Sequence, residues 1–400
     1  MSDRFLPGTE EPPAGRGAAT RSKAMNGEAA AAAIHGVAEE ALALRDQALA
    51  TLDGGDPRAA LDIAGAGLAD LEVAGLGGGA DAAALLVTVA EIEESLDRFG
   101  DAAVTIAAAI AILEDVAAEG VMAEGGDDDS LLLWCQAQER LAGLERLAGG
   151  FDAAAARLGA VLDRASPTVG EASLPVVSAA NALGVVYKSA ANFDAAEVAY
   201  RRAAAAADGL PGRDPLTLAG LLHNLGGLAH SRGDFTSGIP LAEQGLALRT
   251  EGLGADHPDV ARDLNALGAL YHLAGRFDAA AQAYRRALAI FEDGYGPDHF
   301  EVAMTCANLA VLDGDQGHFQ DAESLGRRSL RILEAVLGAQ DAEVGLTLLN
   351  LAAAVAGQGR RPEAAALTAR AADVLAARLP CDHPHVVAAG QALERFGPPT

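Results

Sequence analysis

A unit of 42 residues recurs along most of this chain, and that register constrains the fold more than any other feature. A leucine marks it at Leu183, Leu225, Leu267, Leu309 and Leu351, and a phenylalanine keeps the same beat at Phe151, Phe193, Phe235, Phe277 and Phe319. Three positions after each phenylalanine stands a small residue, at Ala154, Ala196, Gly238, Ala280 and Ala322, and the beat continues to Ala364. Self-similarity at a fixed period is the mark of a repeat array, in which each unit covers the apolar face of the next. The 400 residues therefore count as one array instead of two or three globular domains. Function in such a chain sits on an extended surface, so the question is what that surface binds.

One unit, Asp259 to Pro297, shows the physics. Leu264, Leu267, Gly268 and Tyr271 recur at steps of three and four, which places them on one stripe of a helix that Gly275 ends. Asp278 is expected to cap a second helix, with Asp152 and Asp194 at the same register, and Ala280, Tyr284, Ala287 and Phe291 form its apolar face. Gly184, Gly226, Gly268, Ala310 and Ala352 stand where a larger side chain would hold the two helices apart.

Half the residues are apolar and aromatics reach only 4%, a composition that suits thin, closely packed helices. A formal net charge of −27 argues against nucleic acid and against an anionic membrane surface as partners. Cys135, Cys306 and Cys381 are odd in number and lack metal-ligand spacing, which points to a reducing cytoplasm and predicts no disulfide set. No run is long and apolar enough to suggest a membrane span.

The units resemble the tetratricopeptide repeat. Leu183-Gly184-x2-Tyr187 with Ala196-x3-Tyr200, and Leu267-Gly268-x2-Tyr271 with Ala280-x3-Tyr284, match its L-G-x2-Y and A-x3-F core. The eight residues beyond the usual period of about 34 fall after the second helix, and the longer unit is similar to the repeats of kinesin light chains and their bacterial relatives. The resemblance implies an all-α, right-handed superhelical solenoid of antiparallel helix pairs, with about eight repeats and a C-terminal capping helix. The expected organisation is a disordered tail over 1–28, degenerate repeats over 29–173 with an acidic loop insertion near 119–130, regular repeats over 174–387, and a cap and tail over 388–400.

The resemblance also implies a concave groove lined by first helices. That stripe maps to Ser178, Asn181, Val185 and Lys188, then Gly220, His223, Gly227 and His230, then Arg262, Asn265, Ala269 and His272. Of these, Asn181, Lys188, His223, His230, Arg262, Asn265 and His272 are the expected peptide-binding residues, a neutral-to-basic set suited to an acidic or extended segment of a protein partner. No nucleophile elbow, P-loop, zinc-protease helix or dinucleotide fingerprint is present, so neither catalysis nor a cofactor is expected. His257, His299 and His383 recur at multiples of the period, too far apart to share a metal, and are expected as turn formers and caps. Arg201-Arg202, Arg285-Arg286 and Arg327-Arg328 are expected to be solvated or paired with carboxylates. A non-catalytic scaffold leads; a sensor that changes its pitch on binding a ligand is the alternative. A remote enzymatic reading rests on His223, His230 and Asp263 approaching one another.

Overall fold

A computed structural model describes residues 16–118, 128–212, 214–381 and 383–396. Among them the chain forms 17 α-helices and no strand: eight successive pairs, α1/α2 to α15/α16, then α17 (Pro384–Phe396). This is the all-α, tetratricopeptide-like architecture that the period predicts. The helix α1 (Arg16–Asp53) begins within the stretch expected as a tail, and residues 1–15 lie outside the described set. The acidic insertion expected near 119–130 lies outside it up to residue 127, and α5 (Asp128–Leu147) follows.

Contacts divide the chain into two compact units, 1–165 and 166–400. In the first, α1, α2 (Pro57–Val73) and α3 (Ala80–Ser95) bury Ala41, Ala60, Leu71, Leu85 and Ile92 in one core. The second contains α7 (Leu174–Ser189), α8 (Phe193–Asp208), α9 (Pro215–Arg232), α10 (Phe235–Leu253), α11 (Pro258–Leu273), α12 (Phe277–Tyr295), α13 (Phe300–Asp315), α14 (Phe319–Val336), α15 (Ala342–Gly357), α16 (Arg361–Arg378) and α17. Leu267 and Leu309, two of the marker leucines, are each 3% exposed, so the register is that of the core. Burying such a side chain contributes about 2 kcal/mol.

The turn within each pair recurs with the repeat. Gly55, Asp97, Gly149, Ala191, Gly233, Gly275, Gly317 and Gly359 all have positive φ, which lets the next backbone N–H return to the end of the first helix. The N–H of Arg276, for example, donates to the Tyr271 carbonyl at 2.8 Å. The second helices then start one residue before the expected aspartates. The N-cap of α12 is Arg276, so Asp278 lies inside the first turn and acts on the helix dipole instead of capping it. The side-chain caps at this turn are Asp56, accepting from the Ala59 N–H, Asn192, accepting from the Ala195 N–H, and Asp234, accepting from the Ser237 N–H.

Candidate functional site

The first helices of the second unit lie side by side, and polar groups bridge them along one face. Asn224 Nδ2 donates to Asn181 Oδ1 at 2.8 Å between α9 and α7, and Asn308 repeats the bond to Asn265 at 3.1 Å between α13 and α11. His223 Nδ1 lies 2.8 Å from Asp263 Oδ1, and His272 Nε2 lies 2.9 Å from Asp315 Oδ2. The small Ala269 and Gly227 keep this face open where bulkier residues would cover it.

Within it is a hollow of about 240 Å³ lined by Lys188 of α7, His223, His230 and Ser231 of α9, and Asp263 of α11, with Gly226, Gly227, Ala242, Gly245, Ala266, Ala269 and Leu270 as its walls. Three of the seven expected residues, Lys188, His223 and His230, thus converge on one site. The hollow has a sequence cause. In the neighbouring repeats a tyrosine of the second helix lies flat on the glycine of the first: a Cβ at Gly184 would sit 2.5 Å from the Tyr200 ring, and one at Gly268 would sit 2.7 Å from the Tyr284 ring. The residue in register in α10 is Ala242, and the nearest atom to a Cβ at Gly226 would be the Ala242 Cβ, at an ordinary contact distance of 3.4 Å.

Two further departures supply charge. Arg249 stands in register with Phe291 and Leu333, and Asp263 with Leu221 and Thr305. Asp263 is 4% exposed, and its two oxygens are shared between Arg249 Nε at 2.6 Å and His223 Nδ1. The Arg249 and Asp263 charges offset each other, and the bond at Nδ1 leaves Nε2 as the second polar atom of the His223 ring. Lys188 has no carboxylate partner among the described residues, and desolvation lowers the pKa of its amine. The pKa of His230 is lowered as well, by desolvation against the hollow's walls and then by the Lys188 charge. The choice of lysine is unusual here, since the chain holds only two, Lys23 and Lys188, and otherwise uses arginine.

Two of the remaining expected residues, Arg262 and His272, are committed elsewhere. Arg262 does not face the hollow as a free cation: Asp259, Glu301 and Tyr295 hold it, joining the start of α11 to the next repeat. His272 is paired with Asp315 and packs edge-on against Phe277. Asn181 and Asn265 keep their places on the first-helix face. The linker histidines act as caps: His257 Nδ1 accepts from the Asp259 N–H at 3.1 Å and His299 Nδ1 from the Glu301 N–H at 3.2 Å. Most of the outer arginines are paired as expected, Arg202 with Glu171, Arg327 with Glu323 and Glu363, and Arg328 with Glu292. The Arg202 contact and a bond from Ser166 hold Glu171 down to about 2. Cys135 and Cys306 are buried, and burial raises both thiols, Cys135 to about 11. No helix among the described residues is long and apolar enough to cross a membrane.

Family models described as tetratricopeptide repeat match residues 217–293 and 302–343. No curated protein matches the chain. Among solved structures, a signal-transduction ATPase of Pyrococcus horikoshii with a tetratricopeptide repeat sensor aligns at 14% identity and a TM-score of 0.59, covering 84% of this chain and 46% of that one. A Rap protein complexed with Competence and Sporulation Factor aligns at 13% identity and 0.51, covering 80% and 88%. A putative kinesin light chain of Podosopora anserina with nearly identical TPR-like repeats aligns at 22% identity and 0.40, covering 46% and 86%.

Proposed function

We propose that this tetratricopeptide-repeat protein, with repeats resembling those of kinesin light chains, is a non-catalytic interaction scaffold that binds an extended segment of a protein partner along its first-helix face. The observation that carries this reading is the strip of bridged asparagines. Each pair, Asn181 with Asn224 and Asn265 with Asn308, uses one N–H and one oxygen, so one amide NH2 and one carbonyl per pair remain for a ligand. A peptide backbone offers the matching acceptors and donors at every residue. The fold's record in a Rap protein solved with Competence and Sporulation Factor supports a binding role for this architecture.

Selection of random displayed peptides against the full chain tests the proposal. Binders should lose about tenfold or more in affinity to an Asn181→Ala/Asn265→Ala variant, each alanine removing hydrogen bonds to the backbone. Charge reversal of Arg285 and Arg286, which lie on α12 away from the strip, should leave affinity within about twofold. If no peptide is enriched, or if the α12 variant loses binding and the asparagine variant keeps it, the reading fails.

A further inference from the structure

We propose that the hollow lined by Lys188, His223 and Asp263 is a socket for one carboxylate side chain of the bound segment, Lys188 supplying the charge and the His223 ring, held by Asp263, one wall. The socket rests on the scaffold reading and adds the chemistry of one residue of its occupant. Three substitutions in register, Ala242, Arg249 and Asp263, fall on two helices and meet at one place. Stability does not account for them, because replacing a buried ion pair by apolar residues of similar size is often neutral or stabilising. Their joint effect is a cavity where a tyrosine ring would lie, backed by a neutralised Arg249–Asp263 pair that fixes the His223 ring.

The charge account selects the ligand. With Arg249 and Asp263 cancelling, Lys188 is left as an uncompensated cation in a chain of net charge −27. Glycine, alanine and leucine walls limit water, so an anion inside meets Lys188 at lower dielectric than on the surface. The groups facing His223 are Asp263 of α11, Arg249 of α10 beyond it, Lys188 of α7 and His230 of its own helix.

With only two lysines in the chain, reductive ¹³C-methylation of the full protein gives few signals, and Lys188→Arg identifies the one from Lys188. Three probes are titrated at constant ionic strength: N-acetyl-glutamate N-methylamide, its glutamine counterpart, and inorganic phosphate as the free-anion arm. The glutamate probe should move the Lys188 signal saturably and leave that of Lys23 in place, with the glutamine probe about tenfold weaker or worse. Equal binding of the glutamine probe, tighter binding of phosphate, or a stationary Lys188 signal would each overturn the socket. If library peptides still depend on Asn181 and Asn265 while the Lys188 signal stays still, the socket alone falls. If those peptides also ignore both asparagines, the scaffold reading falls with it.

Discussion

At the position where α12 carries Tyr284, α10 carries Ala242; where α12 carries Phe291, α10 carries Arg249. The repeat α11/α12 is a sealed unit, with Tyr284 at 2% and Phe291 at 0% exposure filling the space between its helices. The repeat α9/α10 keeps the bounds of the second helix, the marker leucine and the interior glycine, yet is hollow and charged inside. An array of like units acquires a site where one unit departs from its own pattern while its neighbours hold the backbone in place. Asp263, the third element, belongs to the sealed repeat but points its carboxylate back at Arg249 and His223.

The largest expected effect comes from opening the sealed repeat. Tyr284→Ala removes a buried ring that packs on Gly268, and urea unfolding should show a loss of about 4 kcal/mol. A loss below about 1 kcal/mol would mean that the ring is not structural and that the contrast between the two repeats is false. Next is the charge inside the hollow repeat: Asp263→Ala leaves Arg249, 16% exposed, without its partner and should cost about 3 kcal/mol. Restoring apolar residues at both places, Asp263→Leu with Arg249→Leu, should return stability to within about 1 kcal/mol of wild type or above it. A double variant as unstable as the single one would show that the pair itself supports the fold.

Filling the hollow is the converse experiment. Ala242→Tyr copies the arrangement of Tyr200 on Gly184 and Tyr284 on Gly268, so it should change stability by less than about 1.5 kcal/mol while closing the site. Unchanged binding of the glutamate probe to that variant would separate the hollow from ligand recognition.

The sequence disclosed the helix pairs because the 42-residue period reports directly on buried faces: Leu267 and Tyr271 share a stripe whatever surrounds them. Caps were harder to read. Asn192 and Asp234 precede the phenylalanine, whereas the aspartate that follows it, as in Asp278, is more regular along the chain and is the stronger sequence signal. Lys188, His223 and His230 were legible as a set because helical spacing fixes which face they share. Arg262 was not, since its fate depends on Glu301, 39 residues later and one repeat away. The hollow had a signal in the sequence, the sequence of Tyr200, Ala242 and Tyr284 at one register, but an alanine in an alanine-rich chain stands out only when its neighbours' rings are seen to fill the same space.

The smallest effect separates the two repeats by pH. His230, in the hollow repeat, has its pKa lowered by desolvation and by Lys188, so the unfolded chain holds that proton more tightly than the folded one. Stability therefore rises with pH from the depressed folded value up to the ordinary unfolded value of about 6.5, and this contribution is lost on acidification through the same window. The term is small because the side chain is exposed to solvent on the first-helix face. Glu171, held down to about 2, acts in the same direction but in a lower window, between that value and the ordinary carboxylate range, so the two do not overlap. Urea midpoints at about pH 5.5, 6.5 and 7.5 should therefore rise with pH in the wild type, rise less in Lys188→Met, where only desolvation remains, and rise least in His230→Gln. A His230→Gln slope equal to that of the wild type would place the titrating group outside the hollow, and would remove the electrical link between Lys188 and His230 on which the contrast with the sealed repeat partly depends.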